Sequence, residues 1–392
     1  MTPEQLSLAV RDCLVDAVRA GELRLATGEG DTAVDDAVAA LPAEVRVERP
    51  RNRDHGDWAT NVALQLAKKA GVPPRDVATL LATRLAEVPG VKSVDVAGPG
   101  FLNIVLDAAA AGEVARTAVE AGATYGDNQA LRGHVINLEF VSANPTGPLH
   151  IGHTRWAALG DSLGRVLSAA GAQVTREFYV NDAGAQMDRF GASVLARLQG
   201  VEVPEDGYHG AYVSDLADGV RAALVASGAS VADATLEQVR ELAYQAQLGE
   251  VQEVLTSFGV HFDVWFSERS LHDEGAVEKA VERLREQGHV EDRDGAVWLR
   301  TTDFGDDRDR VLVRSDGTAT YFAADAAYYL SKKDRGFPEK VYMLGADHHG
   351  YVNRLKAMAA CAGDDPQANI EVLIGQLVKI LRGGEEVRLS KR

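Results

Sequence analysis

A twelve-residue stretch near the middle of the chain joins a predicted strand to a predicted helix. It reads Ser142-Ala-Asn-Pro-Thr-Gly-Pro-Leu-His-Ile-Gly-His153 and sets two histidines three positions apart. Residues 135–141 form an apolar run typical of a buried strand, and beyond the stretch apolar residues recur with helical spacing until Gly171. Gly147 and Gly152 would leave room for a ligand to approach the backbone. Because a helix N-terminus favours phosphate, this βα turn is predicted to bind a nucleotide.

The composition is that of an ordinary globular protein with more than one domain. Of 392 residues, 46% are hydrophobic and 25% are charged, so two or three domains are expected. There is no basic leader and no run of about 18 apolar residues, from which we expect a cytoplasmic protein without a membrane segment. Cys13 and Cys361 stand far apart, so we expect two buried thiols, with neither a disulfide framework nor a zinc site.

The overall charge argues against a polyanionic partner. The formal net charge is -17, whereas nucleic-acid-binding proteins usually present a basic surface. Local clusters would therefore have to supply any phosphate contacts, and each cluster could equally be a solvated face. The basic clusters are Arg46, Arg49, Arg51 and Arg53 before His55, and Lys332, Lys333 and Arg335.

The order of predicted elements indicates an α/β fold preceded by a small module. Residues 1–107 are predicted to form an α+β domain that opens on an amphipathic helix and closes on two strands split by a Gly-Pro-Gly turn. A helical connector, 108–131, leads to a domain over 132–392. That domain is predicted to be a Rossmann-like, doubly wound parallel sheet with a helical insertion at about 184–295.

The pattern inside the larger domain supports this sheet. A second strand at 174–180 precedes a long, acidic helical stretch at about 184–260. The strand pattern resumes at 296–300 and 310–314, and another strand is predicted at 340–344. Such an interruption is expected where a connective segment separates the two halves of the sheet.

The twelve-residue stretch resembles the HIGH box of class I aminoacyl-tRNA synthetases, here His150-Ile-Gly-His153. The longer string is most similar to arginyl-tRNA synthetases, and further strings match that family in order. They are Tyr179-Val-Asn-Asp-Ala-Gly-Ala-Gln186, Tyr321-Phe-Ala-Ala-Asp325, Gly345-Ala-Asp-His-His-Gly350 and Val387-Arg-Leu-Ser-Lys-Arg392. The resemblance implies a ligase that uses ATP with Mg²⁺ to make arginyl-adenylate from L-arginine and then esterifies tRNA(Arg). It also implies that domain 1–107 contacts the tRNA corner near the D-loop.

Amino-acid activation depends on positioning and charge stabilisation, since the substrate carboxylate attacks the α-phosphorus of ATP directly. The resemblance assigns catalytic roles to His150, His153 and Lys391. It assigns ATP binding to these three and to Gly152, Gly345, Asp347, His348 and Ser390. A metal site at 347–349 is another interpretation, but adjacent residues on one turn point apart, so no protein-bound metal is expected.

Recognition of arginine calls for carboxylates, because a guanidinium is a planar fork of donors best bound by bidentate acceptors. Tyr321 and Asp325 lie four positions apart, on one face of a predicted helix, and match family positions that hold the arginine side chain. Asp325 could instead act as a helix cap or pair with Lys332 at the surface. Glu139 is assigned near the α-amino group, although it could instead satisfy a buried arginine. The set assigned to arginine binding is Glu139, Asn144, Asn181, Asp182, Gln186, Tyr321, Asp325 and His349.

The last five residues occupy the place of the family's KMSKS loop. Lys391 matches the second lysine of that motif, whereas Arg388, Leu389 and Arg392 depart from it, and a hairpin predicted at 378–387 precedes them. In the family an all-helical anticodon-binding domain follows. We therefore expect this chain to lack that domain, to bind arginine or ATP weakly and to activate arginine more slowly than an extended form.

Two other functions fit parts of the pattern. A nucleotidylyltransferase acting on a small metabolite would use the His-x-Gly-His turn but would need neither Tyr321, Asp325 nor an RNA-binding module. A non-catalytic relative retained for RNA binding or regulation would not need the histidines. Pyrophosphate exchange into ATP that depends on arginine and tRNA separates the three possibilities. We expect a monomer.

Overall fold

The computed structural model describes residues 1–25, 33–50, 52–376, 378 and 380–387. The chain divides into two compact units, Met1–Gly126 and Asp127–Arg392, and each has hydrophobic cores of its own. The predicted connector, 108–131, is therefore divided between the two units.

The first unit packs helices against an antiparallel sheet of order β1-β3-β2. Its elements are α1 (Pro3–Arg19), α2 (Ala33–Ala39), β1 (Trp58–Thr60), α3 (Val62–Ala70), α4 (Pro74–Leu85), β2 (Val91–Ala97), β3 (Phe101–Leu106) and α5 (Ala108–Ala121). The predicted amphipathic helix is confirmed, because Leu6, Val10 and Leu14 of α1 are fully buried. The two predicted strands are also confirmed as the antiparallel pair β2 and β3, joined through Gly98 and Gly100 at positive φ.

The second unit is organised around a parallel sheet, which confirms the predicted fold class. Its elements are β4 (Val135–Glu139), α6 (Ile151–Ala169), β5 (Gln173–Val180), α7 (Ala185–Gln199), α8 (Ala211–Ala226), α9 (Leu236–Ser257), β6 (Val264–Ser267), α10 (Glu268–Asp273), α11 (Ala276–Glu286), β7 (Val290–Arg293), β8 (Ala296–Leu299), β9 (Arg310–Val313), α12 (Tyr321–Asp334), β10 (Glu339–Gly345), α13 (Val352–Cys361), β11 (Ile370–Gly375), β12 (Ile380–Arg382) and β13 (Glu385–Val387). The central sheet has the order β11-β10-β4-β5-β6, with every neighbouring pair parallel. The chain runs from β4 outward to β6 and then returns through β10 to β11. The strand order therefore reverses between β4 and β10, where open α/β sheets bind ligands.

The predicted insertion differs from the structure in two respects. Its range of about 184–295 contains β6, which is the edge strand of the central sheet. The strands predicted at 296–300 and 310–314 are present, but β8 and β9 form a separate antiparallel sheet with β7. The strand β6 escaped prediction because its short apolar run, Val264-Trp-Phe266, shows no alternation and follows closely on a long helical pattern.

Helix α6 follows β4 as predicted, but small residues form its buried face. Gly160 and Gly164 are buried, whereas Leu159 and Val166 are 50% and 65% exposed. A Cβ on Gly160 would lie 2.2 Å from the Phe140 ring. Glycine therefore lets this helix lie directly against the end of β4.

Two global expectations concern the thiols and the membrane. The predicted burial of Cys13 and Cys361 is confirmed. Among the helices in the described ranges, none is both long enough and apolar enough to cross a membrane.

Candidate active site

The loop between β4 and α6 begins with backbone strain. Val141 and Ser142 have φ values of 68° and 45°, in the left-handed region that residues other than glycine rarely adopt. The Ser142 hydroxyl donates to the Glu139 carboxylate at 3.1 Å and accepts from the backbone N–H of Tyr179 at 3.2 Å. The strained turn therefore fixes a carboxylate at the carboxyl end of β4.

The middle of this loop is held from the helical segment between β5 and β6. Tyr212, in the first turn of α8, donates from its hydroxyl to the carbonyl of Thr146 at 2.9 Å. A Cβ on Gly147 would lie 2.9 Å from that hydroxyl oxygen. The expectation that Gly147 leaves room for a ligand is therefore wrong, because the Tyr212 side chain occupies that space.

The two motif histidines cap the N-terminus of α6. The N–H of Gly152 donates to Nδ1 of His150, and the N–H of His150 donates to Nδ1 of His153, each at 3.1 Å. The two rings stack with their centroids 3.9 Å apart. A ring nitrogen that accepts a hydrogen bond carries no proton, so in both neutral rings the proton is assigned to Nε2. The caps satisfy backbone donors of the first turn and make each imidazole an Nε2–H donor.

Carboxylates converge around Tyr179, near the carboxyl end of β5. Glu268 lies close enough to the Tyr179 hydroxyl for each group to shift the pKa of the other. The pKa of Tyr179 is raised, first by burial and then by the charges of Glu268, Asp325 and Glu139. Three acidic side chains from α10, α12 and β4 therefore surround one phenol.

Asp325 follows Tyr321 by one turn of α12, as predicted. Tyr321 is 79% exposed and lines a cavity of about 600 Å³, whereas Asp325 is half-buried. Burial raises the pKa of Asp325 to about 6, a hydrogen bond donated by the Tyr351 hydroxyl opposes that rise, and the charges of Glu268 and Glu139 add to it. The structure thus holds the predicted specificity residue as a carboxyl that titrates close to neutral pH.

Glu268 is a candidate site residue that the sequence interpretation missed. It is the first residue of α10, directly after β6, and its side chain lines the same cavity as Tyr321. Its Oε2 atom is buried and accepts no hydrogen bond from the described residues, and burial raises its pKa. A buried carboxylate oxygen without a partner is costly, so it indicates a place for a ligand cation. The signal that could have found it is an acidic residue at the carboxyl end of a strand, but β6 itself was not recognised.

A buried lysine holds Glu139. The Nζ atom of Lys332 lies 2.6 Å from Glu139 and 3.9 Å from Glu177, and Lys332 is fully buried. Lys333 and Arg335 also pair with carboxylates, each at 2.6 Å. For Lys332, both predictions made for this basic cluster, phosphate contacts or a solvated face, are therefore wrong. The alternative proposed for Glu139 holds in altered form, because the buried cation is a lysine rather than an arginine.

The polar residues predicted after β5 form a hydrogen-bonded chain with the motif loop. Asn144 donates to Gln186 at 3.0 Å, and Gln186 donates to Asn181 at 2.7 Å. Asp182 lines the cavity next to Glu268, but its buried carboxylate already accepts from donors in α9, β6 and α10. The amides are thus brought together, while Asp182 ties three elements to the end of β5.

Parts of the predicted ATP and arginine sites lie outside the described residues. This holds for Ser390 and Lys391 and for the side chains of residues 347–349, that is Asp347, His348 and His349. The predicted hairpin before the terminal motif is confirmed as β12 and β13. Gly345 ends β10, and the 3-10 turn Ala346–Tyr351 follows it. The predicted string thus begins at the carboxyl end of β10, on the other side of the switch point from the β4 loop.

The first unit has a surface cavity of its own, of about 410 Å³. Its lining includes Phe101, which is 42% exposed, together with Asn103, Arg49 and His55. The guanidinium carbon of Arg49 lies 5.3 Å from the ring centroid of Trp58, which packs against the core of this unit. An exposed ring beside an amide and a cation can stack on a nucleobase and form hydrogen bonds with it.

Comparison with known proteins decides the family. The sequence profile described as "tRNA synthetases class I (R), catalytic domain" matches residues 116–209 and 229–383, and that described as "Arginyl tRNA synthetase N terminal domain" matches residues 30–106. The arginine–tRNA ligases of Paenarthrobacter aurescens and Renibacterium salmoninarum are 62% and 63% identical over 392 residues. The chain belongs to the arginyl-tRNA synthetases. The alignment covers the whole of this chain and 69% of the length of either relative.

A solved arginyl-tRNA synthetase has the same fold. The Thermus thermophilus structure aligns with a TM-score of 0.64 at 21% identity, covering 96% of this chain and 66% of that one. The predicted family and enzyme class are confirmed: this is a class I aminoacyl-tRNA ligase sequence whose family uses ATP, arginine and tRNA(Arg). The nucleotidylyltransferase alternative is excluded.

Proposed function

We propose that this chain activates L-arginine with ATP and transfers it to tRNA(Arg) at the carboxyl edge of its central sheet. The observation that carries the proposal is a pair of carboxyls with raised pKa values, Asp325 and Glu268, at the same edge of the sheet as the histidine-capped helix α6; Glu268 lines the cavity there, and its charge acts on Asp325. A cation pocket beside a phosphate-binding helix terminus suits arginine and ATP as joint substrates.

Asp325 and Glu268 are the proposed acceptors for the guanidinium, with Tyr321 at the cavity wall. Both carboxyls lose hydration on burial, and the charge of Glu268 further raises the cost of ionising Asp325. A guanidinium between them would supply the missing positive charge. Arginine affinity should therefore fall as the pH drops through about 6, where Asp325 gains its proton.

The other end of the amino acid is assigned to the residues after β4 and β5. Glu139 is proposed to lie near the α-amino group, since Lys332 and Ser142 hold its carboxylate in one orientation. The amide chain from Asn144 through Gln186 to Asn181 would then hold the substrate backbone. Asp182 and His349 are also proposed to belong to the arginine site. Asp182 would act indirectly, by holding α9, β6 and α10 at the end of β5.

His150 and His153 are proposed to bind ATP through their Nε2–H groups, together with the first-turn amide groups of α6. As the substrate carboxylate attacks the α-phosphorus and pyrophosphate leaves, negative charge builds on phosphate oxygens. Pre-oriented donors stabilise that charge without reorganising. By family resemblance Lys391 and Ser390 would face the leaving pyrophosphate, and Gly345, Asp347 and His348 would face the nucleotide.

Mg²⁺ is proposed to arrive with the nucleotide. Among the described residues, no group of three or more His, Cys, Asp or Glu side chains stands together as a metal cage. That fits a cation held mainly by phosphate oxygens and water, which is the usual manner of Mg²⁺. It would neutralise phosphate charge and leave positioning to the histidines.

The first unit is proposed to contact the tRNA through its own cavity. Phe101 would stack on an unpaired base, and Asn103 would hydrogen-bond to the base edge. We propose a tRNA-contacting domain (1–107), a connector (108–131) and a catalytic domain (from 132). The profile match that ends at 106 supports the first boundary, whereas the catalytic profile begins at 116, within the proposed connector. We propose a monomer that acts in the cytoplasm, where its tRNA is aminoacylated.

The test is exchange of pyrophosphate into ATP, measured with and without arginine and tRNA(Arg). Exchange that requires arginine supports the proposal, and Asp325→Asn should abolish it at arginine concentrations that saturate the unmodified chain. Asp364→Asn serves as the control, because Asp364 binds Lys333 and Lys340 outside the pocket. Arginine binding without exchange, even with tRNA present, would favour the non-catalytic alternative.

A further inference from the structure

Tyr351 has no role in the chemistry described above, yet it touches the specificity residue. Its hydroxyl donates to Oδ2 of Asp325. Tyr351 ends the 3-10 turn after β10, whereas Asp325 lies on α12, 26 residues earlier in the chain. The contact therefore links the turn after β10 to the proposed arginine-binding residue on α12.

Two observations indicate that Tyr351 is a fixed donor. The guanidinium carbon of Arg354, on α13, lies 4.5 Å from the Tyr351 ring centroid, and the ring packs against the main core of the second unit. Burial and the adjacent Asp325 raise the pKa of Tyr351, so its hydroxyl keeps its proton. A phenol held by a cation on its face has little freedom to turn away from the carboxylate.

The charges that face Asp325 are finely balanced. Burial, Glu268 on α10 and Glu139 on β4 favour its protonated form, whereas the Tyr351 hydroxyl and the Arg354 guanidinium favour its ionised form. Because these effects place the pKa of Asp325 at about 6, the loss of one hydrogen bond would change its ionised fraction at physiological pH.

We propose that Tyr351 is a positioning residue for arginine recognition, which orients the Asp325 carboxylate towards the guanidinium and keeps it ionised. The inference rests on the proposed function, since it assigns Tyr351 to the same arginine site. It extends the specificity machinery from α12 to the turn after β10.

The experiment measures the arginine dissociation constant by calorimetry at pH 6.5, 7.5 and 9 for the unmodified chain and for Tyr351→Phe. Loss of a hydrogen bond to a charged group should weaken binding most at pH 6.5, by about tenfold, and less at pH 7.5. The defect should shrink at pH 9, where Asp325 is ionised in both proteins, and ATP affinity should stay within about twofold. Tyr329→Phe is the matched control: it also removes a hydroxyl that donates to a carboxylate, that of Asp364 at 2.7 Å, and should leave arginine affinity unchanged.

Three results would overturn the inference. An unchanged arginine affinity in Tyr351→Phe would remove the role, and a loss of equal size at all three pH values would reduce Tyr351 to packing. Failure of the unmodified chain to bind arginine would overturn the proposed function itself, and the inference with it. If Tyr351→Phe does not fold, Arg354→Gln takes its place, with a smaller defect of the same pH dependence expected and no pH dependence counting against the inference.

Discussion

Asp325 titrates at about pH 6 in the folded protein, against an ordinary value of 3.8. The folded state therefore binds this proton more tightly than the unfolded chain does. The group favours folding at low pH, and its contribution is lost as the pH rises from about 4 to about 6. Above that range, an ionised Asp325 without a ligand destabilises the fold by about 3 kcal/mol.

The change Asp325→Asn should therefore stabilise the arginine-free protein while damaging recognition. At pH 7.5 we expect the free energy of unfolding to rise by up to about 3 kcal/mol, with no gain near pH 4. Arginine binding should weaken by about 3–5 kcal/mol, because a buried ion pair loses one partner. Urea unfolding at the two pH values and calorimetry with arginine provide the measurements.

The Asp364→Asn variant is the control for this comparison. Lys333 and Lys340 lower the pKa of Asp364, so its substitution should destabilise the protein at pH 7.5. If Asp325→Asn is destabilised to a similar degree, or binds arginine normally, then Asp325 is an ordinary structural carboxylate.

At the scale of elements, the N-terminus of α6 serves two purposes with the same two rings. The Nδ1 atoms stabilise the helix by accepting backbone N–H groups, and each neutral ring carries its proton on Nε2. The capping role and the proposed catalytic role can be separated because glutamine, like histidine, can accept a hydrogen bond at the third helical position.

His153→Ala should lose both roles, whereas His153→Gln should lose only one. For the alanine variant we expect a loss of about 1 kcal/mol in the free energy of unfolding. Its kcat for adenylate formation should fall by a factor equivalent to about 3 kcal/mol, and more than the KM for ATP rises. The glutamine variant should regain stability and remain slow. Recovery of kcat along with stability would mean that His153 acts only as a cap.

The packing of α6 on β4 depends on glycine at position 160. Gly160→Ala would bring a Cβ to 2.2 Å from the Phe140 ring, and we expect it to destabilise the protein by about 1–3 kcal/mol. Gly249→Ala, in α9, meets no atom within 4 Å and should be neutral or stabilising by up to about 1 kcal/mol. Chemical unfolding of both variants measures the difference, and equal effects would contradict the close approach.

At the scale of the whole molecule, a chain with a net charge of -17 must bind a polyanion through a restricted area. We propose the cavity of the first unit for this, with Arg49 and Phe101 in its lining. Arg51 and the side chain of Arg53 lie outside the described residues, so their part in this surface stays a prediction.

Charge and stacking can be separated by their salt dependence. Replacing Arg49, Arg51 and Arg53 by alanine should weaken tRNA binding and lower the slope of log affinity against log salt by about 0.7–0.9 for each lost phosphate contact. Phe101→Ala should weaken binding with little change in slope, because stacking releases no counterions. Titrations of tRNA at several salt concentrations measure both. An unchanged slope in the arginine variant would return this cluster to a solvated face.

The family, the parallel sheet and the position of the loop between β4 and α6 could be predicted from the amino-acid sequence. These depend on residues that are neighbours along the chain, where spacing alone puts the motif histidines at a helix start and Tyr321 and Asp325 on one helix face. The local chemistry of turns, caps and helical faces is settled within a few residues, so it can be predicted without a structure.

Which side chains complete and support the proposed site depends on how the elements pack against one another. Partners on other elements define the roles of Glu268, Lys332 and Tyr351, because the burial and the charged surroundings of a side chain depend on which elements pack around it. The same holds for Gly147, whose missing side chain makes room for Tyr212 rather than for a ligand. The sequence pattern does not show that Lys332, within a basic cluster, is fully buried and paired with Glu139, because desolvation depends on how the folded molecule packs.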